Sequence, residues 1–275
     1  MLEQFIYKNH QNEEMRFGEE GVFVNESSLR DYEWKVVSDN NRISNLQKQI
    51  TTKNIPLVIA CDTEEEGIKK KNQVFEVMEK DALVMQYGRI ILGDYYLKCY
   101  CTGSKKTGFL ESKKELHTTL TVSTDCPNWI RETTTMFRDA GHSQGGGKNL
   151  DYRRDYPSDY TSEFKNKTLV NENFVESNFR IVIYGPVINP TIYIAGHEYT
   201  VNIEISENEH LTIDSIERTI VLTRYDGTLF NAFGDRNKAS YIFQKIPKGN
   251  CVVAWDGSFG FDVVLCEERS EPKWQ

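Results

Sequence analysis

The sequence is poor in the features that mark a membrane protein, a secreted scaffold or a metalloenzyme. No apolar run approaches the ~18 residues that a bilayer-spanning helix needs. The longer ones, such as 55–61 and 180–185, are far shorter. The first ten residues lack a basic segment followed by an apolar one, so no secretory signal is expected there. Histidine is scarce, at 5 residues, and no H-x-x-x-H pair or other ligand spacing occurs. An excess of positive charge is missing too. The chain has 33 Lys and Arg against 41 Asp and Glu, a net charge of −8. That excludes a bulk basic footprint for nucleic acid but leaves room for a local patch. There is no phosphate-binding P-loop, no G-x-G-x-x-G after a strand, and no internal repeat.

Cysteine is present but sparse, at positions 61, 99, 101, 126, 251 and 266. In a chain of 275 residues without a signal, these read as reduced thiols rather than a disulfide framework. Cys99 and Cys101 are two apart. On a strand that pair offers poor geometry for one metal, so a zinc site is not expected. The sequons at Asn25 and Asn166 carry no meaning without secretion.

What is there is globular. Hydrophobic residues make up 39% and charged residues 27%. At roughly 150 residues per domain the length suggests two domains. In the first half, 21–25, 34–37, 55–61, 88–93, 95–101 and 116–122 read as short strands, with a Gly93-Asp94 turn between two of them. One helix is expected after Thr63, whose hydroxyl and Glu66 fit a capping box. Glu64, Glu65 and Glu66 suit the positive end of its dipole. Ile68, Phe75, Met78 and Ala82 form its apolar stripe, with Lys69–Lys71 on a solvated face. The second half is a series of strand signals at 179–184, 191–195, 199–205, 211–214, 219–225, 241–246, 251–255 and 259–265, with Asp226-Gly227 as a hairpin turn. Seven or eight short strands at near ten-residue spacing imply a β-sandwich or jelly roll. Three consecutive glycines at 145–147 mark a connector. The expected organisation is a first domain over 1–135, a glycine-rich linker over 136–152, and a second domain over 153–275.

No catalytic constellation emerges. Gly141-His-Ser143-Gln-Gly145 fits G-x-S-x-G, with His197 or His210 as a partner for Ser143. That elbow needs a buried strand before the serine and a helix after it. Here 132–140 is polar and 146–151 is glycine-rich, so the segment reads as linker. Acidic pairs such as Asp155 with Asp159 and Glu267 with Glu268 could serve glycoside hydrolysis, but an acidic chain has such pairs by chance. Tyr193, Tyr199 and Trp255 could stack sugars on a jelly roll. Aromatics in alternating strands are more often core. A carbohydrate-binding module for adhesion to a host surface, with Tyr193 and Trp255 as platforms, is the rival reading.

Several segments in order carry a family resemblance: 87–100 (YGRIILGDYYLKCY), 183–192 (IYGPVINPTI), Asn231-Ala-Phe, 246–250 (IPKGN) and 268–274 (ERSEPKW). Together they resemble the distal tail proteins of long-tailed phages. The resemblance implies a mainly β chain: a split-barrel-like first domain with one helix, then a galectin-like sandwich. It implies a structural, non-enzymatic virion protein without cofactor or metal, made in the bacterial host's cytoplasm. Its place would be a hexameric ring that can require its neighbours to close. Its partners would be further copies of itself, the tail tube protein, a tail-associated lysin or tip protein, and receptor-binding or accessory baseplate proteins. Specific nucleic-acid or membrane binding is not implied. A ring needs exposed aromatics for its neighbours, and Trp34, Tyr95, Tyr96 and Phe109 are the candidates. Six copies would carry six times −8, or −48, so a channel lined by part of that acid would repel passing DNA.

Overall fold

The computed structural model describes residues 4–108, 114–138 and 167–274. The chain divides into two compact units, Met1–Arg131 with Glu268–Gln275, and Glu132–Glu267. The last eight residues thus belong with the first unit.

The first unit contains β1 (Phe5–Lys8), β2 (Glu14–Phe17), β3 (Val22–Val24), β4 (Lys35–Asp39), β5 (Arg42–Gln47), β6 (Thr51–Ala60), α1 (Glu64–Val84), β7 (Gly88–Leu92), β8 (Tyr95–Gly108), β9 (Glu115–Thr124) and the start of β10 (Trp129–Phe137). Seven strands pair antiparallel in the order β2-β1-β7-β8-β9-β6-β3. The long β8 serves two neighbours. Tyr95–Cys99 pair with β7, and the residues from Tyr100 onward pair with β9. The register slips between Cys101 and Gly103, and such a bulge bends a strand. The two ends of the run, β2 and β3, are consecutive in the chain and joined by a tight turn in which Gly18 N donates to Val22 O at 2.7 Å. The run therefore curls on itself. Phe5, Phe17, Val22, Ile55, Leu57, Leu97 and Trp129 fill its core.

The helix begins where the capping box places it. Thr63 has extended backbone, and its hydroxyl accepts from Glu66 N at 3.2 Å. Its buried face differs from the expected stripe. Gly67, Val74, Val77, Met78 and Asp81 are buried, while Ile68 is 44% exposed. The stripe is rotated because a carboxylate, Asp81, sits at its centre and no hydrophobic count includes it.

The second unit holds the rest of β10, then β11 (Lys167–Asn171), β12 (Asn178–Tyr184), β13 (Val187–Ile188), β14 (Thr191–Ile194), β15 (His197–Thr200), β16 (Glu204–Ile205), β17 (His210–Asp214), β18 (Thr219–Thr223), β19 (Leu229–Asn231), β20 (Gly249–Ala254) and β21 (Phe261–Arg269). Two antiparallel layers form, β19-β18-β17-β12-β21 and β11-β20-β14-β15, with β13-β16 as a short pair. Strict alternation puts Phe179, Ile181, Ile183, Leu211, Ile213, Ile220 and Leu222 of one layer and Ile192, Ile194, Cys251 and Val253 of the other into one core. This is a β-sandwich, and the mainly β class with a single α-helix holds for the described residues. The expected strand at 241–246 is a correction. The chain turns there, with Gln244 N bonded to Tyr241 O at 3.0 Å, and only Ile246 makes a bridge. Ile242 and Phe243 are both buried. Neighbouring residues on a strand face opposite ways, so this pair is apolar because it plugs the sandwich as a loop.

Candidate interaction surfaces

The functional question turns on which apolar groups remain on the surface and which polar groups are already committed. The hairpin β4–β5 stands out. It forms a sheet of two strands only, and every residue of β5 is exposed. Asn40 and Asn41 turn it with φ of 47° and 60°. Asparagine tolerates that left-handed geometry, which matches the twist of a tight hairpin. Val36 faces Leu46 across the pair, and Trp34 lies two residues before Val36 on the same side. The three are 54%, 48% and 42% exposed, and Ile43 near the tip is 68% exposed. A two-stranded sheet with no third strand has little stability of its own. Here the root is fastened instead. Lys48 lies over the Trp34 ring at 4.9 Å and donates to Pro127 O at 3.2 Å and to Asn128 Oδ1. Lys53, nearly buried, donates to the carbonyls of Ser28 and Asp31. Burial lowers the pKa of both ammonium groups from the ordinary lysine value.

The remaining candidates scatter. Tyr95 is a correction: it is 2% exposed, so its ring is core rather than interface. Tyr96, the next residue on β8, points the other way and is half-buried, with the Arg89 guanidinium 4.9 Å from its ring. Phe109 lies outside the described residues. Trp255 is also corrected. It is 2% exposed, its indole N–H donates to Phe259 O at 3.0 Å, and its ring meets Phe137 and Phe261 edge-on. It offers no free face to a sugar. Tyr193 is half-buried on β14, which pairs with β20 at Tyr193 and Ala254.

One polar cluster has the composition of a catalytic dyad. Asp81 accepts from Tyr7 Oη at 2.5 Å and from His10 N at 2.8 Å, and His10 Nδ1 lies 2.5 Å from the same carboxylate. The carboxylate is thus spent on three groups that fasten the β1–β2 turn to α1. Asn9 adds a bond to Val77 O at 3.2 Å. Burial, helped by Cys99 and Asp81, raises the Tyr7 pKa far above the ordinary phenol, so the ring keeps its proton. Burial likewise raises the Cys99 and Cys101 thiols, which disfavours the reactive thiolate. The cluster is built as a clamp.

The other sequence-level candidates do not converge. Gly141–Gly147, Ser143, Asp155 and Asp159 lie outside the described residues. His197 Nε2 is 3.0 Å from Tyr241 O, and the His210 ring lies 6.5 Å from that of Tyr184. Glu267 is buried, while Glu268 accepts from Asn128 Nδ2 at 3.5 Å. All six cysteines carry thiols rather than disulfides. Among the described residues no group of three or more His, Cys, Asp or Glu could hold a metal, and no helix is long and apolar enough to cross a membrane.

No protein-family model matches the chain, and no curated protein matches it by sequence. Its fold does match. The chain has the architecture of phage distal tail and baseplate hub proteins. In particular, it superposes on the Dit protein (gp 19.1) of phage SPP1 with a TM-score of 0.58 at 10% identity, over 96% of this chain and 99% of that one. That protein is described as a paradigm of the hub adsorption apparatus of phages infecting Gram-positive bacteria. Chains of the phage P2 baseplate in its activated conformation, with calcium and with strontium, each give a TM-score of 0.63 at 13% identity. The calcium form covers 99% of this chain and 100% of that one, and the strontium form 98% and 99%.

Proposed function

We propose that this chain is a structural protein of a phage tail, a distal tail protein whose copies close into a ring between the tail tube and the baseplate or tip. The whole-length agreement with hub proteins carries this reading. It spans both units rather than one common module. The β4–β5 hairpin supports it independently. An exposed hairpin with an apolar stripe is an aggregation liability unless a partner covers it. A head-to-tail ring supplies that cover, because each protomer offers one patch and receives another. In this reading the first unit forms the ring, Trp34 and the Val36–Leu46 stripe lie in the contact between copies, and the number of copies is six. The further partners are the tail tube, a tail-associated lysin or tip protein, and accessory or receptor-binding baseplate proteins. The location is the virion, after synthesis in the host cytoplasm. The role is architectural rather than catalytic, and the chain's acid makes the lumen repel DNA rather than hold it.

The test is microscopy of tails carrying an epitope on this chain, together with native mass spectrometry of the purified protein. The expected result is label at the tail tip and a species of six 31.9 kDa copies, ~190 kDa. Label elsewhere on the virion, or none, overturns the reading.

A further inference from the structure

The second unit has a pocket that the hub reading leaves without a use. Its volume is ≈ 660 Å³, within the range of small-ligand sites. Arg218, Arg236 and Lys238 line it together with Phe233, Ser240 and Tyr241, and no carboxylate is in its wall. This runs against the charge of the chain. Residues 218–248 hold 6 Lys and Arg against 2 Asp and Glu, a net +4, so the rest of the sequence carries −12 of the total −8. Of those two acids, Asp226 is committed to Thr228 N and Oγ1, and Asp235 precedes Arg236 outside the wall.

The cations are placed for a ligand. The Arg236 guanidinium carbon lies over the Phe233 ring, 3.9 Å from its centroid, and its Nη1–H donates to Phe233 O at 2.5 Å. Those two contacts hold the guanidinium in place, and the other donors of its fork are the kind that grip two oxygens of one phosphate. Arg218 closes the turn between β17 and β18 with φ of 55°. Glycine or asparagine is the natural residue for that left-handed position, and a long side chain there costs ~1 kcal/mol. A strained backbone is a pointer to function rather than to packing, and the residue chosen brings a cation to the pocket. Beside these charges stands Tyr241, 55% exposed, while Phe233 lies between Arg236 and Phe243.

We propose that this pocket binds a phosphate-bearing sugar, with Arg218, Arg236 and Lys238 on the phosphate and Tyr241 against the ring. A long polyanion fits less well. Residues 167–267 sum to −5, from 8 basic and 13 acidic side chains, so a nucleic acid leaving the pocket meets repulsion. The site lies within the second unit and does not depend on ring closure.

The experiment titrates the full-length protein with glucose 1-phosphate, glucose, inorganic phosphate and a short oligothymidylate, read by calorimetry. Glucose 1-phosphate should bind about tenfold or more tightly than glucose or inorganic phosphate. The pair Arg218→Asn with Lys238→Gln should weaken it about tenfold while the fold is kept, since asparagine suits the left-handed turn. Tyr241→Ser should weaken glucose 1-phosphate and leave inorganic phosphate unchanged. Equal affinity for sugar phosphate and inorganic phosphate overturns the assignment, as does indifference to the double variant. Tighter binding of the oligothymidylate assigns the pocket to nucleic acid instead and likewise overturns it.

Discussion

The tightest constraint in the first unit falls on a residue without a side chain. A Cβ at Gly88 would stand 2.1 Å from Tyr7 Oη and 2.3 Å from Asp81 Oδ2. No rotamer relieves such an approach, because both groups are buried and bonded to each other. Gly88→Ala should therefore destabilise the protein by about 3 kcal/mol or more, through overpacking and the broken clamp. Urea unfolding measures it. Tyr7 also sets a pH limit. Its folded pKa is raised above the unfolded phenol, so the folded state keeps a proton that the unfolded chain gives up. Stability is fully present below about pH 10 and should fall as pH rises beyond it. Tyr7→Phe should be less stable near neutrality yet lose less between pH ~9 and ~11, in melting curves across that window. Arg218 gives a third test at this scale. Arg218→Gly should raise stability by about 0.5–1 kcal/mol, the strain relieved at a left-handed residue less the added chain freedom of glycine. A sugar-phosphate pocket explains why a residue that works against the fold is there.

At the scale of elements, the β4–β5 hairpin separates folding from assembly. Its side chains touch little of the core, so Val36→Asp with Leu46→Asp should lower the unfolding free energy by no more than about 1 kcal/mol, the repulsion of two carboxylates facing each other across the pair. The same pair should abolish the ring, as seen by native mass spectrometry, because two carboxylates would be buried without partners. Elements were also where the sequence was most and least readable. The Thr63 cap, the Gly93-Asp94 turn and the hairpin at Asp226-Gly227 are local, and each stands where its residues place it. The helix face was misjudged at Ile68 because its centre is Asp81, which is buried only because Tyr7 and His10 reach it from 71 or more residues away. Tyr95 and Tyr96 show the limit of alternation. Period two says that one faces in and one out, and only the pairing with β7 decides which. The basic pocket was invisible for the same reason. Most of its lining comes from 233–243, and Arg218 reaches that stretch only through the fold.

At the scale of the whole chain, the first unit is discontinuous, closed by Glu268–Gln275 after the second unit has been completed. The tail is held by Arg30, whose guanidinium lies 3.9 Å from the Trp274 ring and donates to Pro272 O at 3.1 Å. Arg30→Ala should release it, and trypsin should then cut at Arg269 or Lys273 several-fold faster in timed digests, through local opening without global unfolding. Chain order alone could not reveal this return, because the partners are 242 residues apart. The return has a mechanical consequence. A sandwich appended at one end would hang from a single peptide tether and swivel about it. Here the backbone enters after Arg131 and leaves before Glu268, so any pull on the sandwich is shared by two covalent leads. A break in one lead would still leave the sandwich covalently held by the other.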